Sequence, residues 1–211
     1  MVYVLVDIYQ HETNPIPPII NPQSYDVVIK KQNYTSYFEY DYVNPTVVTY
    51  KLYHGGGDCK RDKFYFKNDE SFKTATDQDY SKSGYDKGHM ANAEDFAYDC
   101  TLDELTFRYY NCVPQHPRMN RGPWKKVETE IRKWSQDKEL LVICINVFGD
   151  KDLPNTNVAI PTECIKLVYD YKTKQPIAGY VFTNTANPVM TQMTPDEIVK
   201  KYSITIKTFL N

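Results

Sequence analysis

The sequence predicts an α+β fold built on a central antiparallel sheet. Three features point there: short segments rich in Val, Ile, Tyr and Thr, one strongly amphipathic helix between them, and a run at 140–148 that is apolar except for Asn146. The segments 25–30, 35–43 and 46–53 have strand composition, and so do 158–169 and 177–183. The helix covers 123–135, where Trp124, Val127, Ile131 and Trp134 recur at intervals of three and four and make one apolar stripe. Gly122 and Pro123 suit its N-cap and first helical position. Thr194, Pro195 and Glu197 form a capping box that opens a last helix.

The remaining stretches are read in the same way. Residues 1–10 alternate Val2, Val4, Val6 and Ile8 with Tyr3, Leu5, Asp7 and Tyr9, a strand pattern. Pro15, Pro17, Pro18 and Pro22 make 14–23 an extended linker, so 1–24 is an N-terminal extension and 25–211 the domain. Gly55-Gly56-Gly57 lacks the Lys and Ser/Thr of a phosphate-binding loop and reads as a turn. Residues 60–84 are polar and irregular, and 102–110 fits a short helix and a strand equally well. No internal repeat is present.

Composition excludes some classes and leaves others. The 211 residues suffice for a core without disulfide staples, and 41% hydrophobic with 25% charged is ordinary for a globular chain. A net charge of −2 provides no global basic field, so nucleic-acid binding would have to rest on a local site. Nineteen tyrosines are an excess best read as strand residues rather than as stacking platforms. The five cysteines, at 59, 100, 112, 144 and 164, include no Cys-x-x-Cys pair and are expected to be reduced, buried thiols. No apolar run is long enough for a membrane span, and the start shows neither a secretory signal nor an Arg-rich transit pattern, so an intracellular location and no membrane partner are expected.

One constellation carries chemistry. Tyr85-Asp86-Lys87-Gly88-His89 sets a histidine beside a glycine, and an imidazole can act as a base near neutral pH. Alone, such a histidine is most often a surface or capping residue. It is followed by Met90-Ala91-Asn92-Ala93-Glu94-Asp95-Phe96, then by Asn111-Cys112-Val113-Pro114-Gln115. Asn120 comes nine residues after Asn111, Glu128 eight after Asn120, and Arg132 four after Glu128.

This series resembles the DNA/RNA non-specific endonuclease family, whose signature runs Asp-Arg-Gly-His, Ser-Asn-x-x-Pro-Gln, and Asn-x-Gly-x-Trp-x-x-Leu-Glu. Tyr50-Lys51-Leu52 and Arg61 with Phe64 resemble upstream elements of that family, and the likeness covers roughly residues 35–211. Three positions depart from it: Lys87 replaces an arginine, Asn92 a proline, and Tyr110 a serine. Lys87 keeps the charge but lacks the planar fork that grips phosphate bidentately.

The resemblance implies a ββα-metal (His-Me finger) fold, with a long helix carrying the metal-site residues. It implies a metal-dependent endonuclease, largely indifferent to sequence, that cuts DNA and RNA to 5′-phosphate ends. His89 would be the general base, and Asn120 the direct protein ligand of Mg²⁺, with Mn²⁺ as a substitute. A hydrated magnesium ion suits that sparse oxygen set. Glu128 would hold metal-bound water, Arg132 would hold Glu128 or reach phosphate, and Arg61 and Lys87 would contact phosphate. Asn111 is expected to fix the backbone or the His89 orientation. For His54 and His116 a metal role is disfavoured. Other readings kept open are a weakened relative that binds nucleic acid without cutting, and a toxin or defence effector. An inhibitor or immunity partner and a homodimer are compatible with either.

Overall fold

The computed structural model describes residues 25–210 apart from 70, 207 and 208. The expected first strand and proline linker in 1–24 lie outside the described residues, and the division at residue 24 stays an expectation. Among the described residues, seven strands form one antiparallel sheet. In chain order they are β1 Val27–Lys30, β2 Thr35–Glu39 and β3 Asn44–Leu52, and later β6 Leu140–Asp152, β7 Ala159–Asp170, β8 Pro176–Thr183 and β9 Met190–Met193. Their order across the sheet is β1-β2-β3-β6-β7-β8-β9. Between β3 and β6 the chain leaves the sheet and builds a ribbon of β4 Asp86–His89 and β5 Cys112–Gln115.

Among the described residues, five α-helices accompany the sheets: α1 Asp77–Tyr80, α2 Cys100–Leu105, α3 Pro117–Met119, α4 Lys125–Trp134 and α5 Pro195–Lys201. The Thr194–Glu197 capping box opens α5 as expected. The ambiguous stretch 102–110 resolves into the end of α2 and a 3₁₀ turn at Tyr109–Asn111. Neither β9 nor the β4–β5 ribbon was apparent from periodicity. The ribbon strands have four residues each, too few to show a period, and Gly88 and Pro114 lie within them.

The apolar run in β6 is explained by burial on both faces. Leu140, Val142 and Cys144 join the core cluster that includes Trp124 and Ile131 of the helical side. Leu141, Ile143, Ile145 and Val147 join the opposite cluster with Ile198 of α5 and Tyr202. A strand covered on both faces has no solvent side to carry polar residues. Trp124, Val127 and Ile131 are buried as the stripe requires, and Trp134 is half-buried against the same cluster.

Two expectations are corrected. The helix does not begin at Gly122 and Pro123. His116 caps α3 by accepting a hydrogen bond from the Arg118 N–H at Nδ1, and Pro117 takes the first-turn position. A π turn, Asn120–Trp124, then joins α3 to α4, with Gly122 outside helical geometry (φ −104°, ψ −111°) and Pro123 lacking an N–H for the ladder. The cysteines are not all free: Cys59 and Cys100 form a disulfide, while Cys112, Cys144 and Cys164 are buried thiols. The two partners stand 41 residues apart in sequence, and tertiary folding is what brings them together.

Candidate active site

The β4–β5 ribbon delivers His89 to its place. Its register pairs His89 with Cys112 and Gly88 with Val113. Gly88 is required by close approach, since a Cβ there would be driven into the Gln115 side chain. Just past His89, buried Asn111 fixes the chain: its Oδ1 accepts from Ala91 N (2.9 Å), and its Nδ2 donates to Ala91 O (3.0 Å) and Thr106 O (2.8 Å). Asn111 thus holds backbone next to His89 and is committed to that task.

His89 is half-buried between aromatic rings, with Phe66 and Phe107 each 4.7 Å away by ring centroid. Its Nε2 is shielded from bulk solvent and has no protein partner among the described residues. Burial, with the Arg61 and Lys166 charges behind it, pushes its pKa down to about 3. The imidazole is therefore neutral at physiological pH, with a nitrogen able to accept a proton.

A cleft of about 410 Å³ brings His89 together with Arg61, Asn120, Glu128 and Arg132. Asn92, Arg121 and Lys125 also line it. The π turn and α4 set Asn120 and Glu128 on the same cleft although eight residues separate them. Asn120 Nδ2 donates to Asp86 Oδ2 (3.0 Å), which leaves the amide oxygen available as a ligand. Asp86 is in turn gripped by Arg121, at 2.8 Å from Nε and 2.6 Å from Nη2. Asp86 sits inside the quoted motif, yet its role needed the fold to bring residues 86 and 120 together.

Glu128 is buried, and its Oε1 receives no well-directed hydrogen bond among the described residues. The ammonium of Lys166, fully buried on β7, lies 3.5 Å from that oxygen. Burial pushes the Glu128 pKa up to about 7, against the opposing pull of Lys166. Arg132 does not pair with Glu128. Its Nε donates to buried Asp95 Oδ1 (2.8 Å) and its Nη2 to Asn92 Oδ1 (3.2 Å). The i,i+4 spacing allowed the Glu128–Arg132 pair, but Asp95 is a buried carboxylate that would be costly without a cation. Asn92, where the family carries proline, also caps the 3₁₀ turn Ala93–Phe96 through Glu94 N.

Arg61 reaches the cleft rim in a double ion pair, with Asp103 Oδ2 at 2.7 Å and Glu94 Oε2 at 2.6 Å. Lys87 is absent from the cleft lining. It faces an adjoining hollow that shares Asn120, pairs with Asp77, and stands over the rings of Phe66, Tyr80 and Tyr109. His116 is engaged in capping α3, and His54 lies in a turn with its ring tilted against that of Tyr53.

A divalent ion in this cleft would have to keep most of its own waters. Among the described residues no cluster of three or more His, Cys, Asp or Glu side chains could hold a metal by itself. The cleft does offer one free amide oxygen on Asn120, with two buried atoms, His89 Nε2 and Glu128 Oε1, that receive no hydrogen bond among the described residues. Water on a magnesium ion would supply both donors, so the residues fit such an ion.

Comparison with known proteins gives the family and the fold. The sequence pattern of the DNA/RNA non-specific endonuclease family matches residues 13–208. Human "Endonuclease G, mitochondrial" is 28% identical over 131 residues, 53% of this chain and 43% of that protein. Mouse "Nuclease EXOG, mitochondrial" is 28% identical over 166 residues, 67% of this chain and 44% of that protein. The chain thus spans less than half the length of these relatives. Its fold is similar to that in "Crystal structure of the EndoG/EndoGI complex: Mechanism of EndoG inhibition", with a TM-score of 0.72, 22% identity and 83% of each chain covered. The fold is α+β of the ββα-metal type, and this chain belongs to the DNA/RNA non-specific endonuclease family.

Proposed function

We propose that the chain hydrolyses phosphodiester bonds in DNA and RNA, using His89 as general base and Asn120 as the protein ligand of Mg²⁺, with Mn²⁺ as a substitute. The observation that carries the reading is one cleft lined by neutral His89, Asn120 and Glu128. His89 Nε2 takes a proton from a water as that water attacks phosphorus. The P–O3′ bond breaks, leaving the phosphate on the 5′ side, and the departing 3′-oxygen takes a proton from solvent. An anionic phosphate beside the imidazole raises its proton affinity at the moment it is needed, since opposite charge favours the protonated form. Glu128 would orient water by accepting a hydrogen bond at Oε1. Arg61, Arg121, Lys125 and Arg132 supply positive charge around the scissile group. Magnesium, when bound, would stabilise charge on the phosphate and acidify its own water.

A non-cutting binder is the weaker reading, because phosphate binding alone does not call for a donor-free imidazole nitrogen and a buried carboxylate on the same cleft. A controlling protein partner is a second proposal, favoured by the inhibitor complex of the structural neighbour. The compartment is likewise a proposal. The relatives above are named mitochondrial, and the Cys59–Cys100 disulfide favours surroundings that do not reduce it. No helix among the described residues is long and apolar enough to cross a membrane.

The test is plasmid and RNA cleavage with and without a chelator, run beside His89→Ala. Loss of about two to four orders of magnitude in kcat, with the fold intact, is expected. Undiminished cutting by that variant would remove the reading.

A further inference from the structure

Lys166 breaks the pattern of its own strand. Along β7 the residues facing the catalytic side are Cys164, Lys166 and Val168, and the first and last belong to the apolar cluster under α4. Lys166 is fully buried between Cys144 and Tyr180 of the neighbouring strands. A methionine of similar length would fill that space without the desolvation cost of an ammonium, so the charge needs its own explanation. The groups at the Nζ provide one. It donates to Met90 O at 3.4 Å and to Cys144 Sγ at 3.2 Å, and stands 3.5 Å from Glu128 Oε1. The Trp124 ring centroid is 4.1 Å away. Every polar neighbour can act as an acceptor, which matches an ammonium with three donors rather than a neutral amine.

These contacts reach both halves of the site. Met90 follows His89 on the ribbon, and its N–H is already held by Asn111 O at 2.9 Å. Glu128 belongs to α4. Met90 and Glu128 are 38 residues apart in sequence and meet through a side chain from the main sheet. We infer that Lys166 is a positioning residue, whose ammonium ties the backbone behind His89 to the Glu128 carboxylate and holds that carboxylate toward the cleft. It touches no substrate, and its role rests on the nuclease reading above.

The test is a double-mutant cycle of wild type, Lys166→Met, Glu128→Gln and the double variant. Lys166→Met is expected to lower kcat about 10- to 100-fold, the usual cost of losing a partner behind an active-site group. KM for duplex DNA should change less than about twofold, and the same substitution in the Glu128→Gln background should cost almost nothing further. Equal losses in both backgrounds would overturn the inference, because Lys166 would then be acting through packing alone. Thermal unfolding of all four proteins in chelator gives a readout independent of activity. The double variant should lose less than the sum of the single losses, since neither charge is then stranded, and strict additivity again overturns the inference. If Lys166→Met fails to fold, Lys166→Gln enters the same cycle. If wild type cuts nothing, the functional reading fails, while the unfolding cycle still decides whether Lys166 and Glu128 are coupled.

Discussion

At the scale of the residue, the site depends on atoms whose partners are assigned with little redundancy. Asp86 divides its carboxylate between the Asn120 amide and Arg121. Asp86→Asn would let the Asn120 amide turn, so that its nitrogen as well as its oxygen meets the cleft. We expect a loss of about 10- to 100-fold in activity and a magnesium titration moved to higher concentration. An unchanged titration would mean that Asn120 is held by something other than Asp86. His89 gives a second residue-scale prediction. Its folded pKa, near 3, lies below its unfolded value of 6.5, so between these limits the unfolded chain binds more protons. This contribution to stability is present above pH 6.5 and is lost as pH falls toward 3. Urea unfolding at pH 7.5 and pH 5 should show wild type losing more stability than His89→Ala over that interval. Parallel losses would refute the assigned burial of the imidazole.

At the scale of the element, the ribbon and the kinked helix do different work. The ribbon aims His89, and its alignment rests on Gly88 packing directly against the buried Gln115 side chain. Gly88→Ala forces an extra methyl into a filled space and should cost about 1–3 kcal/mol. Activity should fall by more than stability alone explains, because the displaced strand carries His89. Measuring kcat at a temperature where the variant is fully folded separates the two, and wild-type kcat there would discard the argument. The π turn and α4 set Asn120 and Glu128 on one cleft, although residues eight apart on a regular helix lie about 12 Å from each other along its axis. Hydrophobic periodicity marks the body of α4 correctly. It carries no information on the turn before it, since Asn120, Arg121, Gly122 and Pro123 contribute no apolar stripe.

At the scale of the whole molecule, a net charge of −2 means that, under the proposed function, attraction to nucleic acid would come from the cleft rather than from a basic surface. Four cations line it, Arg61, Arg121, Lys125 and Arg132, though Arg61, Arg121 and Arg132 are already paired with carboxylates. If all four meet phosphate, log Kd should vary with log salt with a slope of about 3 to 4, measured on His89→Ala bound to duplex DNA. Contacts of this kind position a backbone without reading bases. A limit digest should therefore yield ends of every sequence from both DNA and RNA. One consensus site, strict refusal of one sugar, or salt-independent binding would each contradict this picture.

The sequence by itself determined the fold class, the approximate span of each long strand, the apolar stripe of α4 and the family, because these depend on local periodicity and ordered motifs. It also named His89, Asn120 and Glu128, which the fold sets on one cleft. Tertiary structure decided what depends on residues far apart in the chain. Arg132 turned to Asp95, whose buried charge it offsets, rather than to Glu128, which has the Lys166 ammonium 3.5 Å away. Lys87 settled beside Asp77 and three aromatic rings, away from the cleft lining. Cys59 met Cys100 across 41 residues, which spacing alone could not reveal. Nothing in the 158–169 segment sets Lys166 apart, since Glu163 is a second charge in the same strand. The purpose of Lys166 became legible only when the sheet carried it beneath Met90 and Glu128, since a buried charge is explained by its partners, and partners are chosen in three dimensions.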